Sequence, residues 1–216
     1  GRPRIVNDIE PLADAVIGLM LPGNYGGDAL ASLLAGDENF SGKLPFTWPA
    51  HQGGYSPYDY KVSENVATMA GEYNYDAKMD VQWEFGHGLS YSRYEYSDFR
   101  ADRTVFTADD SLHFSVRVRN AGEVEGRESV LLYTSDLYAA SVPDVKRLRA
   151  FTKISLAPGE ETCVTLSVRG SDLAYVGPDG KWRLDAGDFL VRCGGESLRI
   201  ECSEDKVWEE PDILSE

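Results

Sequence analysis

The chain has 216 residues, 42% of them hydrophobic, and a formal net charge of −15 at pH 7. This size fits one large domain or two small ones with an ordinary core, and the longest apolar run is far shorter than the roughly 18 residues that cross a membrane. The acidic balance argues against nucleic-acid binding, which needs a basic face to neutralise phosphates.

Residues 1–49 have an α/β pattern. Residues 15–21 are wholly apolar and are followed by Pro22 and Gly23, a pattern typical of a strand that is covered on both faces. A glycine-rich turn at 23–27 leads from this strand to the next element.

A helix is predicted over residues 28–35, because Ala29, Leu30, Leu33 and Leu34 recur at helical spacing. Asp28 lies in its first turn, where the helix dipole favours an anion, and Gly36 is a typical residue just beyond a helix end. Residues 44–48 predict a short edge strand that contains Pro45. These elements make only part of an α/β domain, since one helix cannot cover both faces of a parallel sheet.

Residues 50–82 lack clear periodicity, and residues 94–202 read as all-β. In the second segment apolar residues alternate with polar ones, and glycine or proline turns separate the strands. This profile predicts an immunoglobulin-like sandwich, and residues 203–216 are expected to form a tail. Strands are predicted over 112–119, 129–135, 147–156, 162–168, 189–193 and 198–202.

The three cysteines, Cys163, Cys193 and Cys202, form no C-x-x-C pair. Cys193 and Cys202 flank a predicted hairpin and could pair in an oxidising compartment, but buried free thiols are favoured. Free thiols favour the cytoplasm slightly over secretion, although the compartment is not fixed by the sequence. The three histidines lack ligand spacing, so neither a metal nor a cofactor is predicted.

Four sequence blocks carry a family resemblance. Gly1-Arg-Pro3, the segment 13–30, and Gly36-Asp-Glu-Asn-Phe-Ser-Gly-Lys-Leu-Pro45 occur in the same order as in glycoside hydrolase family 3. Phe85-Gly-His-Gly-Leu-Ser-Tyr91 resembles that family's Phe-Gly-x-Gly-Leu-Ser-Tyr signature. Within these motifs, the residues expected to have a structural role are Gly23, Gly26, Gly27, Gly42, Pro45, Phe85, Gly86, Gly88, Leu89, Ser90 and Tyr91.

The resemblance implies a domain organisation. Residues 1–49 would be the C-terminal part of an α/β sandwich domain, 50–93 a long connecting strap with the signature junction, and 94–202 a fibronectin type III-like domain. The fold class is therefore a partial α/β unit followed by an all-β immunoglobulin or fibronectin type III-like sandwich.

The resemblance also implies a retaining β-glycosidase, most often a β-glucosidase acting on a β-glucoside or related oligosaccharide. In this family the nucleophilic Asp and the acid/base Glu precede the block that begins at Gly1, so no catalytic residue is expected on this chain. The expected partner is the N-terminal portion of the same enzyme, with its barrel, and a homo-oligomer is compatible with the resemblance. The alternative is a non-catalytic immunoglobulin-like binding or adhesion module.

Substrate contact is considered only for the strap, where Tyr55, Tyr58, Tyr73 and Tyr75 could form an aromatic platform for a sugar. The favoured interpretation is that these tyrosines pin the strap to the protein surface. Asp37-Glu38 is a pair of carboxylates, but a structural turn is favoured there, since adjacent residues point apart.

Overall fold

A computed structural model describes residues 2–53, 57–61 and 81–209 of the chain. Its helical elements are α1 (Gly26–Ala35) and two 3₁₀ turns, Glu10–Leu12 and Gly170–Leu173. The strands are β1 (Trp48–Pro49), β2 (Val81–Trp83), β3 (Tyr94–Ala101), β4 (Val105–Phe106), β5 (Ser111–Asn120), β6 (Gly126–Asp136), β7 (Arg147–Leu156), β8 (Glu161–Arg169), β9 (Tyr175–Val176), β10 (Trp182–Leu184), β11 (Gly187–Cys193), β12 (Glu196–Cys202) and β13 (Lys206–Trp208).

Two sheets form the β-sandwich. One has the strand order β3-β5-β8, and the other has the order β4-β12-β11-β6-β7. Neighbouring strands are antiparallel except for β4 and β12, which are parallel. Strands β9, β10 and β13 form a small third sheet of order β13-β10-β9, and β1 pairs with β2.

The sandwich core consists of the inward-facing residues of both sheets. Along β5, Leu112, Phe114, Val116 and Val118 are all buried, and the residues between them are mostly exposed. The same alternation holds in β8, so the period of two in the sequence places one apolar face against the opposite sheet. The opposite sheet contributes Val130, Leu132, Phe189, Val191 and Ile200.

The predicted fold class is confirmed, and most strand predictions hold. The prediction for 147–156 coincides with β7, and those for β5, β6, β8, β11 and β12 fall within the observed strands. The helix begins at Gly26 and ends at Ala35, followed by Gly36 in the left-handed conformation with φ 81°. The amide of Gly36 donates to Leu33 O at 3.3 Å, which closes the helix end as expected.

The predicted strand over 15–21 is wrong. No strand is assigned there, and Val16, Ile17 and Leu19 are 38–41% exposed. A strand needs a hydrogen-bonded neighbour, and none of the described strands pairs with this segment. The predicted strand over 44–48 is likewise reduced to β1, which begins at Trp48.

In the described part of the chain, no helix has the length and apolar character that a membrane crossing requires.

Candidate functional site

The two signature segments, 36–45 and 85–91, lie against each other. Leu44 N donates to His87 O, and Gly86 N donates to Leu44 O, both at 2.8 Å. Lys43 Nζ donates to Gly88 O, also at 2.8 Å. A Cβ on Gly88 would lie 2.2 Å from the carbonyl oxygen of Gly42, so this approach requires glycine.

Asn39 joins three segments at this junction. Its Oδ1 accepts hydrogen bonds from Ser90 Oγ and from Tyr91 N, each at 2.9 Å. Its Nδ2 donates to Glu125 O at 2.9 Å, at the start of β6. The ring of Tyr91 also meets Phe40 edge to face, with the ring centroids 5.4 Å apart. One amide side chain therefore connects both signature segments to the sandwich.

A largely buried ion pair makes a second connection. Lys43 Nζ lies 3.3 Å from Glu128 Oε2, and the Glu128 side chain is only 10% exposed. Tyr96 donates its hydroxyl hydrogen to Glu128 Oε1 at 3.0 Å. Burial, followed by the charge of Glu128, raises the pKa of Tyr96 above its usual value, so the phenol remains a donor at all ordinary pH values.

A cleft of about 510 Å³ opens above this ion pair. Its rim carries the ring of Trp83, which stacks on His87 with centroids 6.1 Å apart. Across the cleft Lys146 pairs with Glu84 at 2.9 Å, so its basic and acidic groups largely neutralise one another. His87 thus packs within the junction.

Residues 57–61 of the strap lie on the sandwich. The Tyr58 ring stacks on Phe85 with centroids 4.4 Å apart, and its hydroxyl accepts a hydrogen bond from Leu148 N at 3.4 Å. Lys61 pairs with Asp144 at 2.6 Å. These contacts suit the pinning interpretation for Tyr58. The other candidate tyrosines, Tyr55, Tyr73 and Tyr75, lie outside the described residues.

The remaining polar candidates occupy structural positions. Asp37 and Glu38 are exposed in the turn after α1, and their backbone amides donate to Ser32 O at 3.0 and 3.3 Å. Within the described ranges, no group of three or more His, Cys, Asp or Glu residues could hold a metal ion.

All three cysteines are free thiols, but the expectation that they are buried is wrong for one of them. Cys193 and Cys202 are buried in the core, whereas Cys163 is exposed. Cys163 points outward because it alternates with the buried residues of β8. Burial raises the pKa of Cys193 to about 12, so this thiol is protonated and unreactive.

Large apolar side chains are exposed on the segment that precedes the junction. Leu12 is 87% exposed, Leu21 and Tyr25 are each 82% exposed, and Ile9 and Leu34 are 62% and 61% exposed. Soluble proteins rarely leave so many large apolar groups close together in sequence uncovered, and such surfaces mark interaction sites.

Residues 1–91 match the Glycosyl hydrolase family 3 C-terminal domain, and residues 128–197 match the Fibronectin type III-like domain. The chain belongs to glycoside hydrolase family 3 and corresponds to its C-terminal region. In family 3 terms, the junction described above joins these two domains. Gly88 and Ser90 of the signature contact Gly42 and Asn39 within residues 1–91, whereas Gly86 packs against Tyr133 of β6 in the sandwich.

Several relatives share this region. The chain is 34% identical over 211 residues to the lysosomal beta glucosidase of Dictyostelium discoideum. The aligned region covers 92% of this chain and 24% of that protein. It is 31% identical over 197 residues to a putative beta-xylosidase of Formosa agariphila, with 91% of this chain and 26% of that protein covered. The chain thus spans about a quarter of the length of these curated relatives.

The fold is shared with a solved beta-glucosidase. A beta-glucosidase from Listeria innocua, in complex with glucose, superimposes with a TM-score of 0.84 at 27% identity, over 94% of this chain and 30% of that one.

The sequence did not reveal the roles of Asn39 and Glu128. Asn39 is part of a family block, but its three partners are 51, 52 and 86 residues away. Glu128 did carry a signal, since it shares the strand face of Val130 and Leu132, where an apolar residue is expected. A carboxylate at an inward-facing strand position requires a partner, which here is Lys43.

Proposed function

We propose that the chain is the C-terminal part of a retaining β-glucosidase that hydrolyses terminal non-reducing β-D-glucosyl residues. It is active only together with the N-terminal barrel portion of the enzyme. The match of residues 1–91 to the family 3 C-terminal domain carries this proposal. Relatives named as beta-glucosidases support glucose as the sugar, with xylose as the nearest competitor.

The proposed chemistry divides between the two portions. A retaining glycosidase needs two carboxyl groups about 5–5.5 Å apart, one as nucleophile and one as acid/base. Both are assigned to the N-terminal portion, as an Asp and a Glu. The chain described here supplies the remainder of the α/β domain and, through Asn39 and the Lys43–Glu128 pair, fixes that domain to the sandwich.

The exposed apolar side chains are assigned as the surface that meets the N-terminal portion. Covering Leu12, Leu21 and Tyr25 would remove their side chains from water, which is favourable by about 1.5–3 kcal/mol for each fully buried side chain. The apolar run at 15–21 would also gain a neighbouring strand, and with it the pairing that the sequence pattern calls for.

The test compares the complete enzyme with the 216-residue chain on aryl β-D-glucosides and aryl β-D-xylosides. We expect the complete enzyme to prefer the glucoside and to release the β-anomer first, as seen by proton NMR, and the chain alone to be inactive. Hydrolysis by the chain alone, release of the α-anomer, or a preference for the xyloside would each contradict the corresponding part of the proposal.

The interface is tested separately with Leu21→Glu. When the two portions are expressed as separate polypeptides, this change should reduce their co-purification strongly. Phe151→Glu is the matched control, because Phe151 is 71% exposed but lies on β7 of the sandwich. An equal effect of both changes would contradict the assigned surface. Retention of full partner binding by residues 94–209 alone would favour the immunoglobulin-like module instead.

A further inference from the structure

A smaller cleft, of about 260 Å³, lies at one end of the sandwich. It is bounded by the segment that joins β6 to β7 and by β9 and β10. Its lining combines the rings of Tyr175 and Trp182 with five charged side chains. Lys61 and Arg147 both pair with Asp144, whereas Asp136 and Arg149 form no ion pair in the described structure. Neither the proposed hydrolysis nor the junction uses these residues.

Asp136 offers an acceptor that the protein leaves largely unused. Its carboxylate accepts one hydrogen bond, from Tyr138 N at 3.1 Å. Among the described residues, no basic group lies within 4.0 Å of the Asp136 carboxylate, the limit for an ion pair. Burial, helped by the nearby charge of Asp185, raises the pKa of Asp136 to about 6, so the group is still mainly ionised at pH 7.

Arg149 offers donors on the same cleft. Its Nε donates to Thr134 Oγ1 at 3.1 Å, and one Nη donates to the carbonyl oxygen of Asp172. A guanidinium has five N–H groups, so three remain for other acceptors. Burial and the neighbouring Arg147 lower the pKa of Arg149 to about 10, which still leaves it charged at neutral pH.

The wall of the cleft is fixed in place before any ligand arrives. Asp185 accepts hydrogen bonds from Tyr175 Oη at 2.5 Å, from Ala140 N at 2.9 Å and from Arg183 Nε at 2.9 Å. These bonds hold the β6–β7 segment against β9 and β10. Asp185 is therefore a structural carboxylate, whereas Asp136 is available to a ligand.

The charges select the chemistry of that ligand. Lys61 and Arg147 are held by their shared partner Asp144, so Asp136 and Arg149 are the charges left to face a ligand. An anion would be attracted by Arg149 but repelled by the ionised Asp136, and a cation would be attracted by Asp136 but repelled by Arg149. A vicinal diol suits both, because one hydroxyl can donate to the carboxylate while the next accepts from the guanidinium. The aromatic and apolar residues, Tyr175, Trp182, Val176 and Leu173, suit the C–H face of a sugar ring.

We propose that this cleft binds one pyranose unit of a neutral carbohydrate, between the side chains of Asp136 and Arg149 and the Trp182 side of the sandwich. Its volume suits a single ring, because pockets for larger, drug-sized ligands start at about 300 Å³. The fibronectin type III-like domain is thereby a sugar-binding element in its own right. This binding does not depend on hydrolysis, so it is testable on the chain itself.

The test uses the 216-residue chain labelled with ¹⁵N-tryptophan, which gives one indole signal for each of its four tryptophans. D-glucose, D-xylose and cellobiose are titrated as neutral probes, with inorganic phosphate as the anionic probe. We expect the neutral sugars to shift one indole signal in a saturable manner and phosphate to have no effect. Trp182→Phe identifies that signal by removing it.

Asp136→Ala should weaken sugar binding about tenfold or more, the loss expected for one charged hydrogen bond. Asp109→Ala is the matched control, since Asp109 is exposed on the turn before β5, and it should leave binding within twofold. Asp136→Asn keeps the shape and one acceptor oxygen, and should give an intermediate loss. It therefore serves as the second variant if Asp136→Ala disturbs folding.

Three results would overturn the proposal. They are a lack of saturable shift with every neutral sugar, a saturable shift with phosphate, or a moving signal that belongs to Trp48 or Trp83. The last result would place the sugar at the junction cleft instead. Equal effects of Asp136→Ala and Asp109→Ala would also exclude the assigned acceptor. An inactive enzyme with an intact indole shift would refute the proposed hydrolysis and leave this inference standing.

Discussion

Asn39→Ala should loosen the junction without unfolding the sandwich. The change removes three hydrogen bonds, two accepted from Ser90 Oγ and Tyr91 N and one donated to Glu125 O. At about 1 kcal/mol each, and with a discount because water reaches part of the site, the loss is about 2 kcal/mol. This corresponds to a roughly thirtyfold increase in the population of the opened junction.

Hydrogen exchange measured by mass spectrometry can locate that loss. Peptides that cover residues 86–92 should exchange about thirty times faster in Asn39→Ala, whereas peptides from β5 should be unchanged. Asn39→Asp keeps the two accepted bonds and should lose about a third of the protection energy. Asn24→Ala is the control, since Asn24 is exposed in the turn before α1. A less than threefold change at 86–92, or equal acceleration in β5, would refute the assignment of Asn39 as the link.

Three further changes test the remaining contacts by urea unfolding. Gly88→Ala should destabilise the chain by about 1–3 kcal/mol, because the new methyl group meets a backbone carbonyl. Gly27→Ala is the control, because its methyl group would point into open space on α1, and it should change stability by less than about 1 kcal/mol. Lys43→Met should lower the free energy of unfolding by about 2–3 kcal/mol, because it leaves the buried carboxylate of Glu128 without its cation. Adding Glu128→Met should restore part of that stability, and additive losses from the two changes would contradict the pairing. The pKa of Asp136 is raised from 3.8 to about 6, so the native state binds this proton more tightly than the unfolded chain and loses stability as the pH rises from about 4 to 7. Asp136→Asn should abolish that loss, which after a discount for partial exposure is about 1–2 kcal/mol, and an unchanged pH dependence in the variant would contradict it.

The sandwich could be predicted from the sequence because its signals are local. In β5 and β7 the side-chain alternation and the flanking turn residues lie within about a dozen positions, so they are visible without knowledge of any partner. The end of α1 was predictable for the same reason, since Gly36 supplies a left-handed residue at the position where the helix stops.

The functional contacts could not be predicted in this way, because each depends on residues that are distant in sequence. The sugar cleft combines Asp136, Arg149, Tyr175 and Trp182, which lie on four different strands. The unpaired acceptor of Asp136 and the spare donors of Arg149 are visible only once the sheet has been assembled. A carboxylate that ends a strand is, as sequence, indistinguishable from an ordinary solvated turn residue.

The apolar run at 15–21 has a sequence pattern typical of a buried strand, but the described structure does not bury it. Val16, Ile17 and Leu19 are as apolar as a buried parallel strand requires, yet they are partly exposed and unpaired in the described structure. Burial against the proposed N-terminal portion would stabilise these apolar side chains, because it removes them from water. The same reasoning connects the failed strand prediction with the proposed interface. If the N-terminal portion pairs with this run, amides 15–21 will become protected from exchange on assembly, while β5 remains unchanged.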